Sequence, residues 1–424
     1  MHRRFAWLAI LPCALLVACA TGRTPDLQAL YRAHAIDNDR VPVVLIPGML
    51  GSRLAHRDTG AEAWPGGTRK LLTSRYLDLA LRIDPVTLEP LDDGLVPSGL
   101  FDVAIGLDFY GRLVKTLGEV GNYQLSNPGR PVVDQRARLY VFDYDWRQDI
   151  VATVRKLDAL IEEIRRDYGD PKLRVDVIAH SMGGLIVRYY SRYGTDDVLG
   201  GNAFPVTGAG AVKLRRVALL GVPHQGATLA IHRFLNGYQV GISRLPTEGV
   251  ATMPALFQFF PHPAVDWLAG IDGKPIKLDL FDVGTWRQFE WSIFDRRVQR
   301  RIAQEHDVWP EQAVFERWFE KRLERARRFA WSLMVPVDNL DYREPLNIGG
   351  DCLPTPRRLV VEAVDGESLA RLRPEQISYP VPGIDYEALM YEPGDGSVTR
   401  SSALAHQQMD PAVPKHEYSS AGLG

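Results

Sequence analysis

The ten residues VIAHSMGGLI, Val177 to Ile186, constrain the fold of this chain more than any other stretch. An apolar, β-branched run reads as a buried strand, and the pattern behind it reads as a helix. Ser181 therefore stands where a strand turns abruptly into a helix. Such a turn demands small residues two before and two after the serine, because strand and helix approach closely and a bulky side chain would clash. Ala179 and Gly183 meet that demand. The turn lifts the hydroxyl above the sheet, while the helix starting at Met182 aims N–H groups and the positive end of its dipole at it. A plain serine N-cap would need none of these small flanks. His180 is not expected to be the base, since adjacent residues on a strand point to opposite faces.

The rest of the chain places this junction in an alternating pattern. Val41 to Ile46 is a short buried strand bounded by Pro47-Gly48, and the loop PGMLGSRL after it bends tightly enough to present backbone N–H groups. It lacks the GxGxxG spacing of a dinucleotide site. Leu139 to Phe142 is another strand. Ile150 to Tyr168 carries apolar residues at helical spacing and stops at Gly169-Asp170-Pro171. Leu173 to Ala179 is a strand, Met182 to Tyr193 a helix ending at Gly194, and Lys213 to Gly221 a further strand. Alternating strands and helices imply a parallel sheet with helices on both faces, an α/β class. From about Gly226 aromatic residues crowd in (Phe234, Phe257, Phe260, Trp286, Trp318 among them), which marks an inserted, mainly helical cap. Arg357 to Ala363 and the segment around Tyr386 to Tyr391 return to strand-like patterns and should complete the core.

Composition narrows the function. A chain of 424 residues with 46% hydrophobic and 24% charged content accommodates two or three structural units. A formal net charge of -2, with no basic run interleaved with aromatics, sets nucleic acid aside as a partner. The three cysteines, Cys13, Cys19 and Cys352, make neither a disulfide scaffold nor a zinc site. The N-terminus places His2, Arg3 and Arg4 ahead of an apolar run too short for a comfortable membrane span, then Leu16-Val17-Ala18-Cys19. That tetrad resembles a bacterial lipobox, with Cys19 lipidated as the first mature residue. Cys352 is then the one unmodified thiol, expected to be a small buried apolar group. Because Ala20 rather than aspartate follows, an outer-membrane anchor facing the periplasm is expected in a cell with two membranes. The organisation is thus a leader over 1–19, a tether over 20–40, core over 41–225, cap over 226–354 and core again over 355–424.

A serine nucleophile requires a base and an acid that orients it, supplied in hydrolases of this topology in the order Ser, Asp, His. Downstream, GDGSVTRSSA (Gly394 to Ala403) sets Asp395 between two glycines in a tight loop. His406 in ALAHQQM and His416 in VPKHEYSS are the late histidines. His416, in a loop after a proline-flanked segment, is favoured over His406, which falls on a short helix starting near Ser401.

Several of these segments together resemble the lecithin:cholesterol acyltransferase family: VVLIPGMLGSRL, YDWR (Tyr144 to Arg147), AHSMGG, GVPHQGA (Gly221 to Ala227) and GDGSVTRSSA. They run in the family's order over residues 43 to 403. The resemblance implies an α/β-hydrolase fold of a bacterial member, a triad of Ser181, Asp395 and His416, and an oxyanion hole from the backbone N–H groups of Met49 and Met182. It further implies a fatty-acyl lipid ester as substrate, giving an acyl-serine that passes to water or an alcohol. No metal or organic cofactor is called for.

The cap helix FERWFEKRLERARRFAW, Phe315 to Trp331, has an apolar stripe and a basic remainder, suited either to an anionic lipid surface or to packing on the core. Trp64 is read as a second lid by family analogy or as a core residue. A short-chain carboxylesterase, another serine hydrolase, or a non-catalytic binding protein on the same fold are the alternatives. Acyl-chain preference separates the first two from a lipid enzyme, and loss of a triad member would mark the last.

Overall fold

The computed structural model describes residues 41–104, 107–108, 110–134, 136–240, 243–336 and 345–405. Cys13, Cys19, His406 and His416 lie outside the described residues. Among the described residues, six short runs form the main sheet: β1 (Val43–Ile46), β2 (Gln124–Leu125), β3 (Arg138–Val141), β4 (Val175–His180), β5 (Leu214–Leu220) and β6 (Leu346–Ile348). Their spatial order is β6-β5-β4-β1-β3-β2, and every pairing is parallel.

Alternate side chains on these strands feed two separate apolar layers, as the two-residue strand period requires. Val43, Leu45 and Leu139 pack with Leu113, Val114 and Leu117 of α1 (Gly111–Glu119). Val44, Ile46, Tyr140 and Val177 join the large core with α2 (Ile150–Tyr168) and α3 (Met182–Tyr193). The helix α2 begins where the Asp149 carboxylate accepts the Val151 N–H at 2.9 Å, and it ends at Gly169 in the left-handed region (φ 64°). The sequence pattern locates α2 and α3; the helix α1, on the other face, lies in a mixed stretch to which that pattern assigns no element, although Leu113, Val114 and Leu117 fall at helical spacing.

Register brings the carboxyl ends of the strands level: Ile46 pairs with Ala179, His180 with Leu220, and Leu220 with Ile348. The chain leaves β1 toward β3 on one side and crosses to β4 on the other, so the loops after β1 and β4 diverge. Open parallel sheets bind their ligands in the crevice that such a reversal creates.

Between β5 and β6 the regular structure among the described residues is mainly helical and includes α4 (Thr228–Asn236) and α5 (Gln312–Ser332). Phe234, Phe257, Phe260, Trp286 and Phe319 are buried together; the Phe234–Phe257 and Phe257–Phe319 ring centroids lie 4.6 and 5.0 Å apart, edge to face. Each such pair contributes about 0.5–1.5 kcal/mol beyond its burial. These rings belong to the same apolar cluster as the sheet, so the cap shares the core of the sheet domain.

Three expectations change, and one open alternative is decided. The strand β6 rejoins the main sheet before the expected cap boundary at 354, because its pairing with β5 is what satisfies the outer edge of that strand. Leu359–Val364 does form a strand, but in a separate three-stranded sheet with Leu268–Gly270 and Glu367–Arg371, and Tyr391–Gly394 pairs with Leu353–Pro356. Neither joins the main sheet. On α5, Phe315, Phe319, Leu323 and Ala326 are buried, and its basic side chains are engaged: Lys321 and Arg322 with Glu89, Arg325 with Asp149 and Asp197, Arg327 with Asp279. Of its two expected roles, this helix takes the one of packing on the core. Cys352 is exposed, not buried, with its Sγ 3.5 Å from Asp351 Oδ1.

Candidate active site

Ser181 is the last residue before α3 and adopts φ 51°, ψ −118°, a conformation that L side chains rarely hold. Its N–H donates to Leu220 O at 2.8 Å, which ties the turn to β5. Its hydroxyl makes no capping bond to α3, so the N-cap role is not what fixes it. The close approach predicted from the small flanks is present: a Cβ on Gly183 would stand 2.6 Å from Ile46 O, and one on Gly184 2.1 Å from Val222 Cγ2. Gly48, in the loop after β1, abuts the serine so tightly that a Cβ there would lie 2.9 Å from Ser181 Cβ.

That loop is a rigid turn. Gly51 N–H donates to Gly48 O at 3.0 Å, Leu50 has φ 65°, and the Trp64 indole donates to Leu50 O at 2.9 Å. Trp64 is thus a buried core residue that also holds the loop. Tyr144 of YDWR donates its hydroxyl to Pro47 O at 2.7 Å, and Tyr144 N–H donates to Ser52 Oγ at 3.1 Å. Arg147, fully buried, is anchored by Asp145 and Asp93 at 2.8 and 2.5 Å. The YDWR motif therefore braces the loop that carries Met49.

Met49, His180, Ser181 and Asp395 line one cavity of about 660 Å³ whose walls are mainly apolar. Met182, the other expected oxyanion donor, follows the serine as the first residue of α3. Asp395 follows the strand Tyr391–Gly394. Its Oδ1 accepts the N–H groups of Ser397 and Val398 at 2.8 and 2.7 Å. Among the described residues its Oδ2 has no hydrogen bond and is left open toward Gly221, where a Cβ would lie 3.1 Å away. The acid loop is held by GVPHQGA: Ser402 Oγ donates to Gly226 O at 2.7 Å and accepts the Gln225 N–H at 3.1 Å. Sequence reasoning did not single out Ser402; the recurrence of both motifs in one chain was the available signal.

His180 corrects the reading of its orientation. It shares the cavity with Ser181, because the sharp turn at the serine breaks the strand alternation on which the opposite-face argument rested. Its Nδ1 lies 2.7 Å from the Tyr110 hydroxyl, which also accepts the Gly48 N–H at 2.8 Å. Burial holds the His180 pKa below its ordinary value, against the opposing pull of Asp395. Burial also pushes the Tyr110 phenol up to about 12, so it stays protonated as a bridge. Among the described residues no hydrogen bond joins His180 to Ser181. The expected bases, His416 and His406, lie outside the described residues.

A serine on a strand–helix turn, packed against the loop after β1 beneath an apolar cavity, is the arrangement of an acyl-transferring α/β-hydrolase. The family model for lecithin:cholesterol acyltransferase matches residues 133–301. Over that stretch the chain is similar to the lecithin:cholesterol acyltransferase family. The family segment runs from β3 through Ser181 and GVPHQGA into the cap, and stops short of Asp395. A chain in the crystal structure of the Tle4–Tli4 complex has the same fold, with TM-score 0.51 and 13% identity over 89% of this chain and 94% of that one. EstA from Clostridium botulinum aligns at TM-score 0.31 and 14% identity, over 90% of this chain and 78% of its own. No curated protein sequence matches the chain.

Proposed function

We propose that the protein is a serine acyl hydrolase or O-acyltransferase of lipid esters, with Ser181, Asp395 and His416 as its triad. The observation that carries this reading is the strained Ser181 facing a large apolar cavity together with an aspartate whose Oδ2 is open. The family segment supports acyl chemistry, and the apolar walls suit a fatty-acyl chain. His416 takes the Ser181 proton as the hydroxyl attacks the ester carbonyl, and Asp395 holds the imidazole tautomer and stabilises the imidazolium. The N–H groups of Met49 and Met182 receive the tetrahedral oxyanion, each contributing roughly 3–4 kcal/mol of barrier lowering. The imidazolium then protonates the leaving alcohol, and the acyl-serine passes to water or a second alcohol.

Ser181→Ala is expected to abolish labelling by a fluorophosphonate probe and hydrolysis of defined phospholipids while the circular dichroism spectrum stays native. Mass spectrometry of the products, with and without a sterol or glycerol acceptor, separates hydrolase from transferase. Labelling that persists in the variant overturns the nucleophile.

The same reading includes a lipid anchor at Cys19, motivated by Leu16-Val17-Ala18-Cys19, with residues 20–40 as tether. Each buried methylene adds about 0.8 kcal/mol of membrane affinity, so two or three chains anchor stably. Cys19→Ala is expected to accumulate as precursor or to lose detergent-phase partitioning; a wild-type N-terminal peptide without acyl mass sinks the anchor.

A further inference from the structure

The cavity contains one charge that the chemistry proposed above does not use. Arg233 sits on α4 with Leu229, Ala230 and Phe234, which share one helical face and line the same cavity as Ser181. Its guanidinium stacks on the Tyr238 ring, 4.4 Å from the centroid. Its Nε is buried without a hydrogen-bond partner, and among the described residues no carboxylate pairs with it. A guanidinium carries five donors and stays charged at any working pH. Arg233 is only partly buried, so the cost of an unmatched donor falls on its Nε–H, and a bound anion that accepts from it removes that cost. The other charge on the lining, Asp395, is committed to orienting the base. Neighbouring His232 adds no competing charge near neutrality, since burial, then Arg233 and Arg373, press its pKa to about 4.

We propose that Arg233 is a specificity-determining residue that holds the phosphate or carboxylate of a net-anionic lipid ester while Ser181 attacks its acyl carbonyl. The proposal rests on the serine acyl-transfer reading of the cavity. One face of the guanidinium is covered by Tyr238, so its in-plane edge, with the unpartnered Nε–H beside an Nη–H, is what it offers a ligand, the geometry that matches a planar carboxylate or two phosphate oxygens. Selection works in both directions. A neutral ester leaves the donors unpaired, and a zwitterionic headgroup brings its own cation toward Arg233.

The test uses the full-length enzyme and three acyl-matched substrates, phosphatidylglycerol, phosphatidylcholine and diacylglycerol, in uncharged detergent micelles at fixed surface concentration. Wild type is expected to favour phosphatidylglycerol. In Arg233→Gln the ratio of kcat/KM for phosphatidylglycerol over diacylglycerol should fall roughly ten- to hundredfold, the range of a hydrogen bond to a charged group, with the loss in KM. Arg233→Lys should keep more of the ratio than Arg233→Gln. An unchanged ratio in Arg233→Gln, or equal losses in the two variants, overturns the proposal and leaves Arg233 as packing for Tyr238. Inorganic phosphate that protects wild type from probe labelling as well as the anionic lipid does would put a free anion beside Arg233, and overturns it too. A wild type that turns over all three substrates equally defeats only the role of Arg233. Turnover of none, with no Ser181 labelling, defeats the acyl-transfer reading itself.

Discussion

Ser181 holds a backbone conformation that costs a non-glycine residue on the order of 1–3 kcal/mol, and the surroundings enforce it. Gly48, Gly183 and Gly184 give the room, and the Tyr110 hydroxyl, between Gly48 N and His180 Nδ1, ties the loop after β1 to the end of β4 beside Ser181. Asp395 spends one carboxylate oxygen on its own turn and leaves the other open, as an acid that orients a histidine must. Asp395→Asn and His416→Ala are each expected to lower kcat by about three to four orders of magnitude, the scale of triad lesions, whereas His406→Ala should be mild. Steady-state kinetics with a soluble ester reads this directly, and a dead His406 variant beside an active His416 variant would assign the base to His406.

At the scale of elements, caps and contacts decide how far sequence reading reaches. The bounds of α2 and α3 are legible because apolar spacing marks their extent, and Gly169 and Gly194 are local stop signals whose effect needs no distant partner. The role of α5 was not. Its amphipathic pattern says that one face is buried but cannot say that Arg325 reaches Asp149, the N-cap of α2, at 2.7 Å. That contact joins cap to core through a carboxylate that also accepts from Gln258 Nε2 at 3.1 Å. Asp149→Ala removes the cap and strands a largely buried guanidinium, so a destabilisation of about 3 kcal/mol is expected in urea unfolding. A loss below about 1 kcal/mol would show that Asp197 alone satisfies Arg325.

For the molecule as a whole, buried histidines contribute to the response to acid. His262 is nearly inaccessible; its Nδ1 accepts the Ala264 N–H at 3.1 Å, and its ring packs edge-on to Trp331. Burial first, and Arg188 second, lower its pKa from 6.5 to about 4. Between pH 6.5 and 4 the unfolded chain takes up a proton that the folded chain refuses, so stability is full above 6.5 and falls as pH drops. His262 alone contributes about 3 kcal/mol to that fall. Thermal unfolding measured across that range should show a shallower decline for His262→Gln than for wild type. Parallel curves would mean that His262 titrates normally.

What the sequence determined by itself is what short-range sterics dictate: the strand–turn–helix at Ser181, the tight loops at Met49 and Asp395, the alternation that makes a parallel sheet. The pattern of small residues around Ser181 and the turn residues of the two loops are local, so they can be read without knowing the fold, although the groups they make room for, Ile46 and Val222, are distant in sequence. The tertiary structure decided the rest. Tyr144 bracing Pro47, Ser402 bracing Gly226, His180 turned into the cavity and Arg233 left facing it without a carboxylate all depend on residues dozens to hundreds of positions apart. Hydrogen bonds and ion pairs act only across a few ångströms, and which groups come that close is set by how the layers pack, a property of no local stretch of chain.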